Sequence, residues 1–178
     1  MDRNRTLATI GPLGLLLFGM AVVAVLAAGA GKGSAVKLAV FDFELEDVSP
    51  SAVLQGKILD SAEALHKVTS AARTELEKSG RYVLIDVSKV EAQPARENTL
   101  RRCDGCEAGI ALQLGAEQSL LGVVIRATAT DYYIMIRIRD ARTGKVLDEQ
   151  SANFAGSEEG WASGIRMLIR HQLLATPP

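Results

Sequence analysis

The chain has 178 residues, with 20 Lys and Arg against 21 Asp and Glu and a formal net charge of −1. That balance carries no electrostatic footprint for nucleic acid or for an anionic membrane surface. Hydrophobic residues make up 48% and aromatics only 4%, the make-up of an α/β domain built on Val, Ile, Leu and Ala rather than of a disordered or low-complexity chain.

Residues 1–30 read as a secretory signal. Arg3 and Arg5 form a basic head, Leu13 to Ala28 is free of charge, and Ala28-Gly29-Ala30 offers small residues for cleavage. The expected cut follows Ala30, with Ala28 as the alternative. The competing reading is a retained anchor, but an apolar run of about 16 residues is short of the roughly 20 that a span needs. No cysteine follows the run to take a lipid. Residues 31–178 are then one domain of about 150 residues, enough for its own core, periplasmic or secreted, with no membrane span after cleavage.

Val36 to Phe43 reads as the first strand. Val36, Leu38 and Val40 share one face, and Ala39, Phe41 and Phe43 the other, so it is central and covered on both sides. Asp42 stands near its C-terminal end. An acid there commonly caps the following loop, and the same place is where open α/β sheets bind ligands. Glu44 to Gly56 reads as a solvated acidic loop. Its carboxylates Glu44, Glu46 and Asp47 lack the spaced oxygens and Gly turn of a calcium loop.

Ile58 to Ser79 carries one apolar stripe at three- and four-residue steps, a long helix closed by Gly80. Tyr82 to Val87 is the second strand. The β-α-β spacing makes it parallel to the first and puts Asp86 at the same sheet edge as Asp42. Pro94 breaks the polar stretch from Ser88 to Arg102. A short helix, Glu107 to Leu114, ends at Gly115. Then come a buried strand, Ser119 to Thr128, an alternating strand, Tyr132 to Asp140, a turn through Gly144, and a strand, Val146 to Phe154. A last helix starts with Ser157 as N-cap and Glu158 and Glu159 at its positive end, with Trp161 as a packing anchor. The order β-α-β-α-β-β-β-α predicts a mixed five-stranded α/β sheet with packed helices.

Cys103 and Cys106 are the only cysteines. Four chemistries use this spacing. Haem attachment needs His after the second Cys, where Glu107 stands. A structural zinc site needs four ligands, and His66 and His171 would have to converge from distant segments. A thiol-disulfide centre would draw on the helix N-terminus, Arg101 and Arg102 to favour the Cys103 thiolate. Asp104 and Glu107 oppose it, and no proline lies between Glu107 and Thr176 to face the pair. A structural disulfide, in keeping with an oxidising compartment and an even cysteine count, would staple the helix start for about 2 kcal/mol or less. No nucleophile elbow, phosphate loop or zinc-protease motif occurs.

Four segments carry a resemblance: Leu38 to Phe43; Ser79 to Asp86; Ala111-Leu112-Gln113-Leu114-Gly115-Ala116-Glu117 with the strand through Gly122-Val123-Val124; and Ile138 to Leu147. In order and spacing the chain resembles the TolB amino-terminal-domain-like group of envelope proteins, with CsgG-like and LpoB-like relatives. Within it the chain looks like an uncharacterised family of small secreted bacterial proteins with Cys-x-x-Cys-Glu before Leu-Gly-Ala. The resemblance implies a non-catalytic α/β domain used for docking, without a cofactor, and transfers no functional residue. The expectation is therefore an accessory protein that docks an envelope or secreted partner. The alternatives are a thiol-disulfide protein using Cys103 and Cys106, and a small-ligand binder at the edge marked by Asp42 and Asp86.

Overall fold

Nine residues, Gln118–Arg126, form β4, the strand about which the sheet is assembled. Nearly all are buried, because apolar side chains alternate onto two covered faces. The computed structural model describes residues 34–55, 61–90, 95, 97 and 99–175. The predicted signal (1–30), the start of the predicted long helix at Ile58, and Pro94 lie outside the described residues.

In chain order the elements are β1 (Val36–Val40), β2 (Glu44–Asp47), α1 (Pro50–Gln55), α2 (Ala62–Lys78), β3 (Tyr82–Ile85), a 3-10 turn (Leu100–Arg102), α3 (Cys106–Gln113), β4, β5 (Asp131–Asp140), β6 (Val146–Ala155) and α4 (Trp161–Leu168). A short 3-10 turn (Glu158–Gly160) precedes α4, and a π-helical turn (Ile169–Leu173) extends it. The sheet runs β3-β1-β4-β5-β6, with β2 also on β4. β3, β1, β2 and β4 are parallel neighbours, and β4-β5-β6 is an antiparallel meander. The class is the predicted mixed α/β one, with six strands instead of five.

The extra strand lies in the segment read as a loop. β1 pairs with the first part of β4 (Leu38 with Gln118 to Val40 with Leu120), and β2 pairs with its second part (Glu44 with Val123 to Asp47 with Arg126). The two are one long strand interrupted at Phe41-Asp42-Phe43. At the break the Phe43 N–H leaves the ladder and donates to Thr69 Oγ1 on α2 at 2.9 Å. The interruption also changes the parity: Phe43 packs with Leu38 and Val40, not with Ala39 and Phe41 as simple alternation predicts. Its ring packs against Gly122, where a Cβ would stand 2.2 Å from Phe43 Cε1. Glycine at 122 is thus required by space.

The sheet's two faces differ. On the front face α2 and α4 cover Leu38, Val40, Phe43, Leu120, Val124 and the even-numbered residues Tyr132 to Ile138 of β5. Trp161 is buried here, 5.7 Å ring to ring from Tyr132. Ser157 stands at the N-cap of the 3-10 turn rather than of the last helix, and its hydroxyl is spent on Glu159. On the back face the 3-10 turn and α3 cover Ala39, Phe41, Leu121 and Val123 with small side chains, Ala111 among them. Among the described residues no helix is long and apolar enough to cross a membrane.

Candidate functional site

The parallel strands β1 and β3 end side by side, Ala39 opposite Ile85, so Asp42 and Asp86 emerge at one edge. They line a single cleft of about 690 Å³, together with His66, Arg73 and Glu77 of α2 and Ser88. Its floor is the break between β1 and β2. Arg73, one helical turn beyond Thr69, donates from Nη2 to the Val40 carbonyl at 2.7 Å and to Asp42 Oδ1 at 3.0 Å. Two side chains of α2 thus serve the backbone that the broken strand leaves open. Asp86 accepts the Ser88 N–H at 2.8 Å. Hydrogen bonds from the Ser88 side chain and backbone hold its carboxyl below the ordinary carboxylate value. Each acid therefore has a structural partner, and the fold brings both to one notch.

The cysteines pack on the back face. Cys103 and Cys106 are joined as a disulfide with Cα atoms 5.7 Å apart. The turn between them uses left-handed backbone at Asp104 (φ 33°) and Gly105 (φ 97°), and Cys106 opens α3. Two buried carboxylates anchor this segment. Glu44, read from the sequence as solvated, is 1% exposed. It accepts the Leu100 N–H at 2.7 Å and, on its other oxygen, the Arg101 N–H at 3.2 Å and guanidinium at 2.7 Å. An acid can be buried in this way because three donors replace its water. Glu107 is also 1% exposed; Arg139 Nε of β5 donates to its Oε1 at 2.9 Å. The same guanidinium reaches the Gly144 carbonyl at 2.9 Å and Asp104 at 3.4 Å. A Cβ at Gly105 would stand 3.4 Å from Arg139 Cζ. Of these residues only the cysteines stand out as a motif. The roles of Glu44 and Arg139 rest on contacts 57 and 32 positions away in sequence.

The family described as "Protein of unknown function (DUF2380)" matches residues 36–173. The chain belongs to that family. No curated protein matches it. Among solved structures, the PelC dodecamer from Paraburkholderia phytofirmans is 17% identical with a TM-score of 0.52, over 82% of this chain and 91% of that one. The LpoB C-terminal domain from Salmonella enterica is 15% identical at 0.49, over 71% and 87%. TolB from Acinetobacter baumannii is 16% identical at 0.48, over 82% of this chain and 30% of that one. At such identities the likeness is one of fold, and PelC carries it. The family member thus shares its fold with PelC.

Proposed function

We propose that the chain works outside the cytoplasm as a non-catalytic accessory protein that docks a protein partner of the bacterial envelope. The observation that carries this reading is the edge of the sheet at β6. Among the described residues this ten-residue strand pairs on one side only, with β5. Its other edge offers a row of backbone donors and acceptors for strand addition. Val146 and Leu147 at its start are 39% and 48% exposed, and Tyr133 on the adjoining strand is 45% exposed. These side chains would give an added strand its specificity. The resemblance to the TolB amino-terminal-domain-like group, whose shared use is docking, supports the same reading. So does the signal expected over residues 1–30.

The test is a photo-crosslinking amino acid at Ser151 on β6, with Lys67 on the exposed side of α2 as control, in cells of the native host. The expected result is one discrete product from Ser151, recovered from the periplasm and absent from the Lys67 control. No product from Ser151, or a cytoplasmic one, overturns the reading. A product made of two copies of the chain would assign the edge to self-association, the mode that the dodecameric PelC makes relevant.

A second reading, small-ligand binding, is favoured by the notch that gathers Asp42, Arg73 and Asp86. A thermal-shift screen of small cationic and amine ligands tests it. A ligand whose stabilisation is lost in Asp86→Asn supports the reading, and a screen without hits retires it.

A further inference from the structure

Glu107 is not accounted for by its place in the staple. It is 1% exposed, yet only Oε1 has a partner, Arg139 Nε at 2.9 Å. Oε2 is buried and unpartnered, although a carboxylate oxygen shut away from water ordinarily recovers its lost hydration through a second donor. The carboxylate stands beside sulfur. Cys103 Sγ, Cys106 Sγ and a Glu107 carboxylate oxygen all lie within 4.8 Å of one another, and among the described residues no other trio of metal-ligating side chains is so placed.

We propose that reduction of the Cys103–Cys106 bond turns this cluster into a binding site for a divalent cation of the zinc type, held by both thiolates and Glu107 with water as the fourth ligand. The chemistry is a gated one. A dithiol reductant supplies two electrons and two protons, the S–S bond opens to two thiols, and the reductant leaves as its own disulfide. The cation then displaces the two thiol protons, which pass to solvent. Closed, the disulfide presents no thiolate and the site does not bind.

The geometry fits this donor set. Zn–S bonds of about 2.3 Å and Zn–O bonds of about 2.0–2.2 Å in a tetrahedron put the sulfurs about 3.8 Å apart and the oxygen about 3.5 Å from each. Those separations are shorter than the 4.8 Å within which the three ligand atoms lie, and the sulfurs reach theirs by parting when the S–S bond opens. Two soft thiolates with one carboxylate suit a borderline ion better than calcium or magnesium, which take oxygen alone. Arg139 is the positioning residue. It binds Oε1, so the carboxylate is oriented with its other oxygen free, the outer-shell hydrogen bond that carboxylate ligands usually have. Its charge also offsets the one negative charge left when three anionic ligands meet a dication.

The experiment is an anaerobic titration of the purified protein with Co²⁺, disulfide intact and after reduction with a phosphine. The expected result is a thiolate-to-cobalt charge-transfer band with tetrahedral d–d bands, saturating at one ion per reduced chain, bleached by Zn²⁺ and absent from the oxidised chain. Glu107→Gln should weaken Co²⁺ binding at least tenfold. A reduced chain without the thiolate band, or a Glu107→Gln variant that binds as tightly as the wild type, overturns the proposal. A second measurement needs no variant. In a redox titration at fixed pH, free Zn²⁺ above its dissociation constant should make the disulfide easier to reduce. Each tenfold increase should move the midpoint by about 30 mV, the two-electron equivalent of a tenfold change. A midpoint that zinc does not move overturns the proposal as well.

Discussion

On one face of the sheet, α2 and α4 bury Leu76, Trp161, Ile165 and Leu168 against the apolar sides of β1, β4 and β5. On the other, an eight-residue helix and a 3-10 turn lie over a smaller cluster, Ala39, Phe41, Leu121 and Val123 among it, tied down by Glu44–Arg101, Glu107–Arg139 and one disulfide. The front face is closed by area, since every Å² of apolar surface removed from water adds about 25 cal/mol. The back face buries the smaller cluster and is closed by position as well. A buried ion pair adds little net stability because desolvation offsets attraction, but losing one partner strands a charge and is expensive. The front face therefore sets how stable the domain is. The back face sets where the cysteine turn sits.

That contrast can be broken at either side. Trp161→Ala should have the largest effect, about 3–5 kcal/mol as for other buried large-to-small changes, seen as a lower denaturant midpoint with the turn's disulfide still formed. Glu44→Ala should cost about 2–3 kcal/mol, because it leaves the Leu100 and Arg101 backbone N–H groups without their acceptor. Its distinctive signature is local: proteolysis should appear first between residues 99 and 106, while the Trp161 fluorescence of the front face persists. A variant that instead loses both faces together would show the two to be one cooperative unit. Replacing both cysteines by serine should cost about 2 kcal/mol or less, since the staple closes only a short loop, and far-UV circular dichroism should be unchanged. The last test sharpens the front face's rim. Arg170 donates to both oxygens of Glu75 at 2.6 and 2.7 Å, which holds that carboxyl below its ordinary value of 4.5. A folded value below the unfolded one means that the pair's contribution is complete above about pH 4.5 and is lost as pH falls through the lowered folded value. Arg170→Met should slightly lower the denaturant midpoint at neutral pH, leave it unchanged once Glu75 is protonated, and so flatten that part of the acid-unfolding curve.

Much of the architecture is legible in the sequence, for local reasons. The alternation of Tyr132 to Ile138 fixes the inward face of β5, Gly80 and Gly115 end their helices with positive φ, and the right-handed β-α-β rule brings Asp42 and Asp86 to one edge. β2 is not legible. Glu44-Leu45-Glu46-Asp47 offers one apolar residue in four, and Glu44 is buried only because donors arrive from residues 100 and 101. The same holds for Arg139. Its alternation with Tyr133 and Met135 predicts a wet face, and its burial against Glu107 depends on where α3 lands. The disulfide's neighbours were thus hidden in long-range pairing, while the cysteines themselves were plain.

The guanidinium of Arg139 has one more consequence. It holds Glu107, Asp104 and the Gly144 carbonyl at once, with Gly105 laid against it. Two turns far apart along the chain therefore share a single hinge pin, and neither can open without releasing the other. In amide hydrogen exchange the N–H groups of Cys106 and Ala108, bonded to Cys103 and Gly105, should open in step with those of Gly144 and Lys145, bonded at the β5–β6 turn. Arg139→Ala should uncouple them, leaving two independently breathing loops where the intact protein has one.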